Sequence, residues 1–156
     1  MEKCIFVSPC LLGEKCRYDG CSKPNEGVQK ALCGKVYVHA CPEVLGGLPT
    51  PRKPSEICGD RVVMVDGTDV TANYKSGAEE ALKIAKEHGC SVAILKAKSP
   101  SCGKGYVYDG TYTGTLTVGN GITAQLFIDN GITVLDETEI DKLTYEDYSK
   151  LFRRYN

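Results

Sequence analysis

Three of the nine cysteines in this 156-residue chain share one kind of position. Cys10 stands in Ser8-Pro9-Cys10, after the apolar run Ile5-Phe6-Val7. Cys41 opens Cys41-Pro42-Glu43, after Val36-Tyr37-Val38. Cys102 lies in Ser99-Pro100-Ser101-Cys102-Gly103, after the run over 91–95. Each follows a strand-like segment and has a proline close by, which ends the strand and stiffens the turn. In an open parallel sheet the carboxyl ends of the strands share one crevice, so three thiols far apart in sequence would converge there. A structural zinc site normally takes four ligands, often as Cys-x-x-Cys pairs, and the chain has no such pair. A [4Fe–4S] cluster usually takes four cysteines. With three, one iron keeps an open position and becomes a Lewis acid and a substrate site. Three buried thiols at strand ends would show the same pattern, because free cysteines are often core residues. Spacing alone does not separate the two.

Other residues can be placed around this trio. Glu43, two positions past Cys41, can reach the same crevice, where a carboxylate screened from water could move protons; a capping or surface glutamate is the alternative. Ser101 adjoins Cys102, and its hydroxyl could bind a substrate carbonyl or an attacking water, or merely stabilise the turn. Asp19 and Arg17 could close the pocket or pair with each other. Arg52, in Pro49-Thr50-Pro51-Arg52, could receive a phosphate bidentately or form a surface ion pair. Cys16 could lie near Cys10 and join the site, or be a loop cysteine. Cys4, Cys33 and Cys90 are expected in the core, with Cys21 and Cys58 open. Gly119-Asn120-Gly121 precedes a helical stretch and is a weak anion-binding hint. Tyr106, Tyr108 and Tyr112 could stack on a ring or form one face of a hairpin. His39 and His88 read as structural or surface residues.

The positioning elements alternate in type. Residues 24–33 read as a helix, with Pro24 early and Gly34 as its stop. Residues 61–71 read as a hairpin turning at Asp66-Gly67. The helix over 74–88 has Ala78, Ala81, Leu82 and Ala85 on one face. A strand over 91–95, a loop with a hairpin over 103–121, a helix over 122–130, a strand over 132–135 and a terminal helix over 144–154 follow. The alternation predicts an α/β domain with a largely parallel sheet. Charged residues make up 25% of the chain and the net charge is −1, which disfavours nucleic acid as a partner. No apolar run reaches the ~18 residues of a membrane span. The N-terminus does not resemble a signal peptide, so a cytoplasmic location is expected. Many cysteines in a reducing compartment point to metal binding or catalysis rather than disulfides.

Five segments together carry a family resemblance: SPCLLGEKCRYDG (8–20), HACPEVLGGLPTPR (39–52), DGTDVT (66–71), ILKAKSPSCGKGYVYDGTYTG (94–114) and GNGITAQLFIDNGI (119–132). The chain resembles the thiouracil desulfidase (TudS-like) family, some of whose members carry a second domain; here one desulfidase domain over 1–156 is expected. The resemblance implies a Rossmann-like three-layer fold and a [4Fe–4S] cluster whose three ligands fall on Cys10, Cys41 and Cys102. It also implies removal of sulfur from a small thiolated uracil, as free base or nucleotide, with release of sulfide. On that reading Glu43 activates water with help from Ser101, while Asp19, Arg52 and Ser101 contact substrate. The rivals are a non-catalytic carrier of an iron–sulfur cluster or zinc, and a desulfidase acting on thiouridine in tRNA. Oligomeric state is left open.

Overall fold

The computed structural model describes residues 4–143. Four parallel strands form the central sheet: β1 (Ile5–Val7), β2 (Tyr37–His39), β5 (Val92–Leu95) and β8 (Thr133–Asp136), in the order β2-β1-β5-β8. Both faces of β1 and β5 are buried, which is why they read as unbroken apolar runs. Helices α3 (Thr71–Glu87) and α4 (Ile122–Asp129) cover one face. Phe6, Ala81, Ala85 and Phe127 pack there, with the Phe6 and Phe127 rings edge to face at 5.1 Å. The short helices α1 (Glu26–Ala31) and α5 (Glu137–Asp141) cover the other, over Ile5, Val7, Leu11 and Ile94. The expected three-layer α/β fold is therefore present. The chain leaves β1 first toward β2 and later returns to β5 on the other side. The switch point of the sheet, where ligands bind in such folds, is the gap beyond the carboxyl ends of β1 and β5.

Local chemistry sets most element ends. Asn25 caps α1 by accepting from the Val28 N–H at 2.9 Å. Asp136 and Glu139 form a reciprocal capping box on α5. Helix α3 starts at Thr71, three residues before the expected 74, with Asp69 Oδ1 accepting from the Thr71 N–H. The helix expected over 24–33 is limited to α1. The terminal helix expected over 144–154 lies outside the described residues.

The hairpin is placed differently from the sequence expectation. β4 (Arg61–Met64) pairs antiparallel with β3 (Ser55–Cys58) across Gly59-Asp60, while the segment after Asp66-Gly67 contributes an isolated bridge, Val63 to Asp69. The Asp66-Gly67 turn is real, with Thr68 N–H bonded to Asp66 Oδ1. A second hairpin joins β6 (Tyr106–Tyr108) to β7 (Leu116–Val118). Glu56 links the two hairpins, its Oε1 accepting from the Gly110 N–H at 3.0 Å and the Tyr112 N–H at 3.2 Å.

Helix α2 (Pro42–Leu45), too short for periodicity to reveal, is seated on α3 by two glycines. A Cβ at Gly77 would fall 1.9 Å from the Pro42 carbonyl oxygen, and one at Gly46 would fall 2.1 Å from that of Asn73. The two helix backbones touch, and α2 carries Cys41 at its N-cap and Glu43 in its first turn.

Candidate active site

The strand register brings Val7, His39 and Ile94 to one level at the carboxyl edge. Each expected ligand follows within a short, pinned segment. Cys10 sits in the 3-10 helix Pro9–Leu12. Cys41 is the N-cap of α2. Cys102 is held by Ser99, whose Oγ accepts from the Ser101 and Cys102 N–H groups at 3.1 Å each. The same loop is bound to α4: the N–H groups of Ile122, Thr123 and Ala124 donate to carbonyls of Pro100 and Ser101. Those are the donors that Gly119-Asn120-Gly121 offered to an anion. They are already satisfied, so this helix start anchors the Cys102 loop instead. A Cβ at Gly121 would lie 2.4 Å from the Ser101 oxygen, so the approach needs glycine.

Cys10, Cys41 and Cys102 all line one cavity of about 570 Å³ at the switch point. Cys16 lines it too. Buried at 7% exposure, it packs in one cluster with Cys10 and Cys41, so four thiols line the site. The neighbouring Cys10 thiol, with burial, pushes the Cys16 thiol up to about 12, against a lowering influence of Cys41. Contact with Cys16, then burial, raises Cys41 as well. Burial pushes Cys102 up to about 12, opposed by hydroxyls of Ser8 and Ser101. These thiols stay protonated until a cationic, thiophilic group offsets the cost of charge. Among the described residues, no three His, Cys, Asp or Glu side chains converge as a single metal ion requires. The thiols instead surround a volume. An all-sulfur donor set around a roomy, partly apolar cavity fits an iron–sulfur cluster.

Beside the thiols, Glu43 Oε1 accepts from the Tyr74 hydroxyl at 2.7 Å and from Arg52 Nε at 3.3 Å. All three line the cavity. The Arg52 side chain is 2% exposed and that of Glu43 is 15% exposed. Burial, then the Glu43 charge, holds the Tyr74 hydroxyl well above its ordinary range, so it remains a donor. Arg52 also donates through Nη1 to Pro49 O at 3.1 Å and Thr50 Oγ1 at 2.9 Å, and through Nη2 to Cys16 O at 2.9 Å. With four of its five N–H donors engaged, it has no bidentate fork left for a phosphate. It positions Glu43 and Cys16 instead.

The remaining candidates separate. Ser101 is fully buried and lies behind the cavity wall, its Oγ 2.8 Å from Thr123 Oγ1 and in contact with the Cys102 thiol. Asp19 pairs with Arg17 at 3.4 Å and accepts from the Cys21 N–H; Arg17 lines the cavity and Asp19 does not. Of the three tyrosines, only Tyr108 lines the cavity. Tyr106 is 57% exposed, and the Tyr112 hydroxyl donates to Val63 O. Cys4 and Cys90 are in the core as expected, whereas Cys33 is exposed. Sequence reasoning did not single out Tyr74. It reads as one more residue of the α3 core face, and only the seating of α2 on that helix makes it a partner of Glu43.

Fold and site together define an α/β protein with a cysteine-lined cavity, at its sheet switch point, backed by an oriented carboxylate. Residues 5–139 match the model of the 2-thiouracil desulfurase family, and the chain belongs to that family. It is 42% identical over 149 residues to the Bacillus subtilis (strain 168) protein YbbK, itself described as uncharacterized, covering 89% of this chain and 99% of that one. It is also similar to the solved structure of the [4Fe–4S]-dependent thiouracil desulfidase TudS. That match has a TM-score of 0.84 and 43% identity, and covers 92% of this chain and 95% of that chain. Among the described residues, no helix is long and apolar enough to cross a membrane.

Proposed function

We propose that this chain is a [4Fe–4S]-dependent, non-redox desulfidase. It converts a small thiolated uracil and water into the oxo-pyrimidine and sulfide. The observation that carries the reading is the convergence of Cys10, Cys41 and Cys102, from three strand ends, on one cavity that Glu43 also lines. These three thiols hold the cluster. When bound, it supplies an iron with a free coordination position, a soft Lewis acid suited to a thiocarbonyl sulfur.

The protein's own residues do the rest. Both hydrogen bonds to Glu43 fall on Oε1, and Oε2 takes none from the described residues. Oε2 takes the proton of the water that attacks the ring carbon bearing sulfur. The C–S bond breaks and the sulfur leaves as sulfide. Arg52 and Tyr74 fix the carboxylate plane. The hydroxyls of Ser8 and Ser101, near Cys102, favour its thiolate against the effect of burial. The Tyr108 ring offers a face on which the pyrimidine can stack. A cavity of about 570 Å³ has room for a base or mononucleotide, and the net charge of −1 disfavours tRNA.

The test uses anaerobically reconstituted protein with thiouracil and its nucleoside and nucleotide forms, measuring the oxo-pyrimidine and sulfide. Glu43→Gln should keep the iron and lose about 10²–10⁴-fold in rate. A fully loaded wild-type protein that forms no sulfide from any of these substrates overturns the activity. A loaded Glu43→Gln that turns over at the wild-type rate removes Glu43 as the base.

A further inference from the structure

A site that must keep one iron free for substrate has a weakness, because an uncovered iron is the first to be lost to oxidants. The structure places a fourth thiol within reach. Cys16 belongs to the same packed cluster as Cys10 and Cys41 and lines the same cavity. Its backbone is fixed from two sides. Arg52 Nη2 donates to its carbonyl at 2.9 Å, and the Cys41 thiol lies 3.8 Å from the same oxygen. Its side chain has a single heavy-atom torsion, so a change of one rotamer moves the sulfur toward or away from the cavity. The segment that carries it runs between Gly13 and Gly20, both at positive φ (99° and 77°), which lets this loop fold back over the site.

We infer that Cys16 is a displaceable fourth ligand, a thiolate that closes the open iron when no substrate is bound and yields it to the thiocarbonyl sulfur. The inference rests on the cluster reading above. The exchange balances without redox chemistry. The iron–sulfur bond to Cys16 forms as the thiol gives its proton to solvent. It breaks when substrate sulfur takes the position, and the thiol is then reprotonated. Cys16 thereby competes with substrate. If the closed form is populated about nine to one, the apparent Kd for thiouracil is raised about tenfold.

The experiment compares wild type with Cys16→Ala and Cys16→Ser, reconstituted anaerobically. Iron is counted first, and each sample is then titrated with ferricyanide, a one-electron oxidant. The readout is the EPR signal of the [3Fe–4S] product left when the open iron departs. Thiouracil affinity is measured in parallel. Both variants should bind four irons, yield the [3Fe–4S] signal at several-fold less oxidant than wild type, and bind thiouracil about tenfold more tightly. Equal oxidant sensitivity in all three proteins overturns the inference. So does loss of all iron in both variants while wild type binds four, because Cys16 would then be an obligatory ligand. Wild type that binds no iron would sink the cluster reading itself.

Discussion

Replacing Arg52 by lysine tests whether this residue is the fastener of the site or a substrate contact. Lysine keeps the charge beside Glu43 but has one nitrogen where arginine has a fork. Arg52 now serves Glu43 Oε1, Pro49 O, Thr50 Oγ1 and Cys16 O from three nitrogens. A single ammonium cannot span Glu43 and the Cys16 carbonyl while also reaching the 49–50 turn. At least two bonds from a charged donor are lost. At about 1.5–3 kcal/mol each, with water replacing those at the exposed turn, the net cost is about 2–3 kcal/mol. Urea unfolding of the reduced, metal-free protein, followed by circular dichroism, should show a midpoint lower by about 1 M or more. Arg61→Lys is the control. Its ion pair with Asp69 is 3.6 Å long and its side chain is 62% exposed, so the change should be small. Arg52→Leu should cost more than Arg52→Lys, about 3–5 kcal/mol, because it strands the Glu43 carboxylate. An Arg52→Lys protein with the wild-type midpoint, but weaker binding of a thiolated nucleotide, would refute this reasoning and restore Arg52 as a phosphate contact.

Three further outcomes follow from the same geometry. Gly77→Ala should destabilise the fold and lower iron content on reconstitution, although alanine is the better helix former by about 1 kcal/mol, because its Cβ meets the Pro42 carbonyl beside Cys41; a more stable variant with full iron would show that α2 yields freely. Cys10→Ser, Cys41→Ser and Cys102→Ser should each abolish stable cluster binding, while changes at Cys4, Cys33 and Cys90 spare it, measured as iron per chain and visible absorbance. The reduced, metal-free protein should lose stability above about pH 9. Cys16, Cys90 and Cys102 ionise near 9.0 when unfolded but are pushed up to about 12 when folded. The folded state then binds more protons, so stability is fully present below about pH 9 and falls until about pH 12, by roughly 1.4 kcal/mol per unit for each thiol. Cys90→Ala should flatten that fall in urea midpoints, and an unchanged slope would count against burial as the cause.

The convergence of Cys10, Cys41 and Cys102 on one cavity was legible because it obeys a local rule. A strand, a proline and a cysteine can be recognised within a few residues, and parallel topology does the rest. The fold class followed from alternation for the same reason. What was not legible depends on backbone groups that carry no side-chain signature. The partners of Arg52 include the carbonyls of Pro49 and Cys16, so its sequence context suggested a free fork where the structure has a committed one. Gly119-Asn120-Gly121 has the composition of an anion-binding helix start, but the Pro100 and Ser101 carbonyls arrive first. Asp66-Gly67 does make a turn, yet β4 finds its main partner in the preceding strand.

Cys16 shows where local rules end. It follows no strand and adjoins no proline; only the return of the 13–20 loop brings it to Cys10 and Cys41. The same loop explains why Arg52 and Glu43 matter beyond their own bonds. Arg52 joins Glu43, on the helix that starts at Cys41, to the carbonyl of Cys16. The carboxylate that would activate water and the thiol proposed to guard the iron are therefore set by one guanidinium. A shift of Arg52 moves both, so its variants should alter turnover and oxidant sensitivity together, whereas Tyr74→Phe, which removes a hydroxyl bonded to Glu43 and not to Cys16, should alter turnover and leave oxidant sensitivity at the wild-type level.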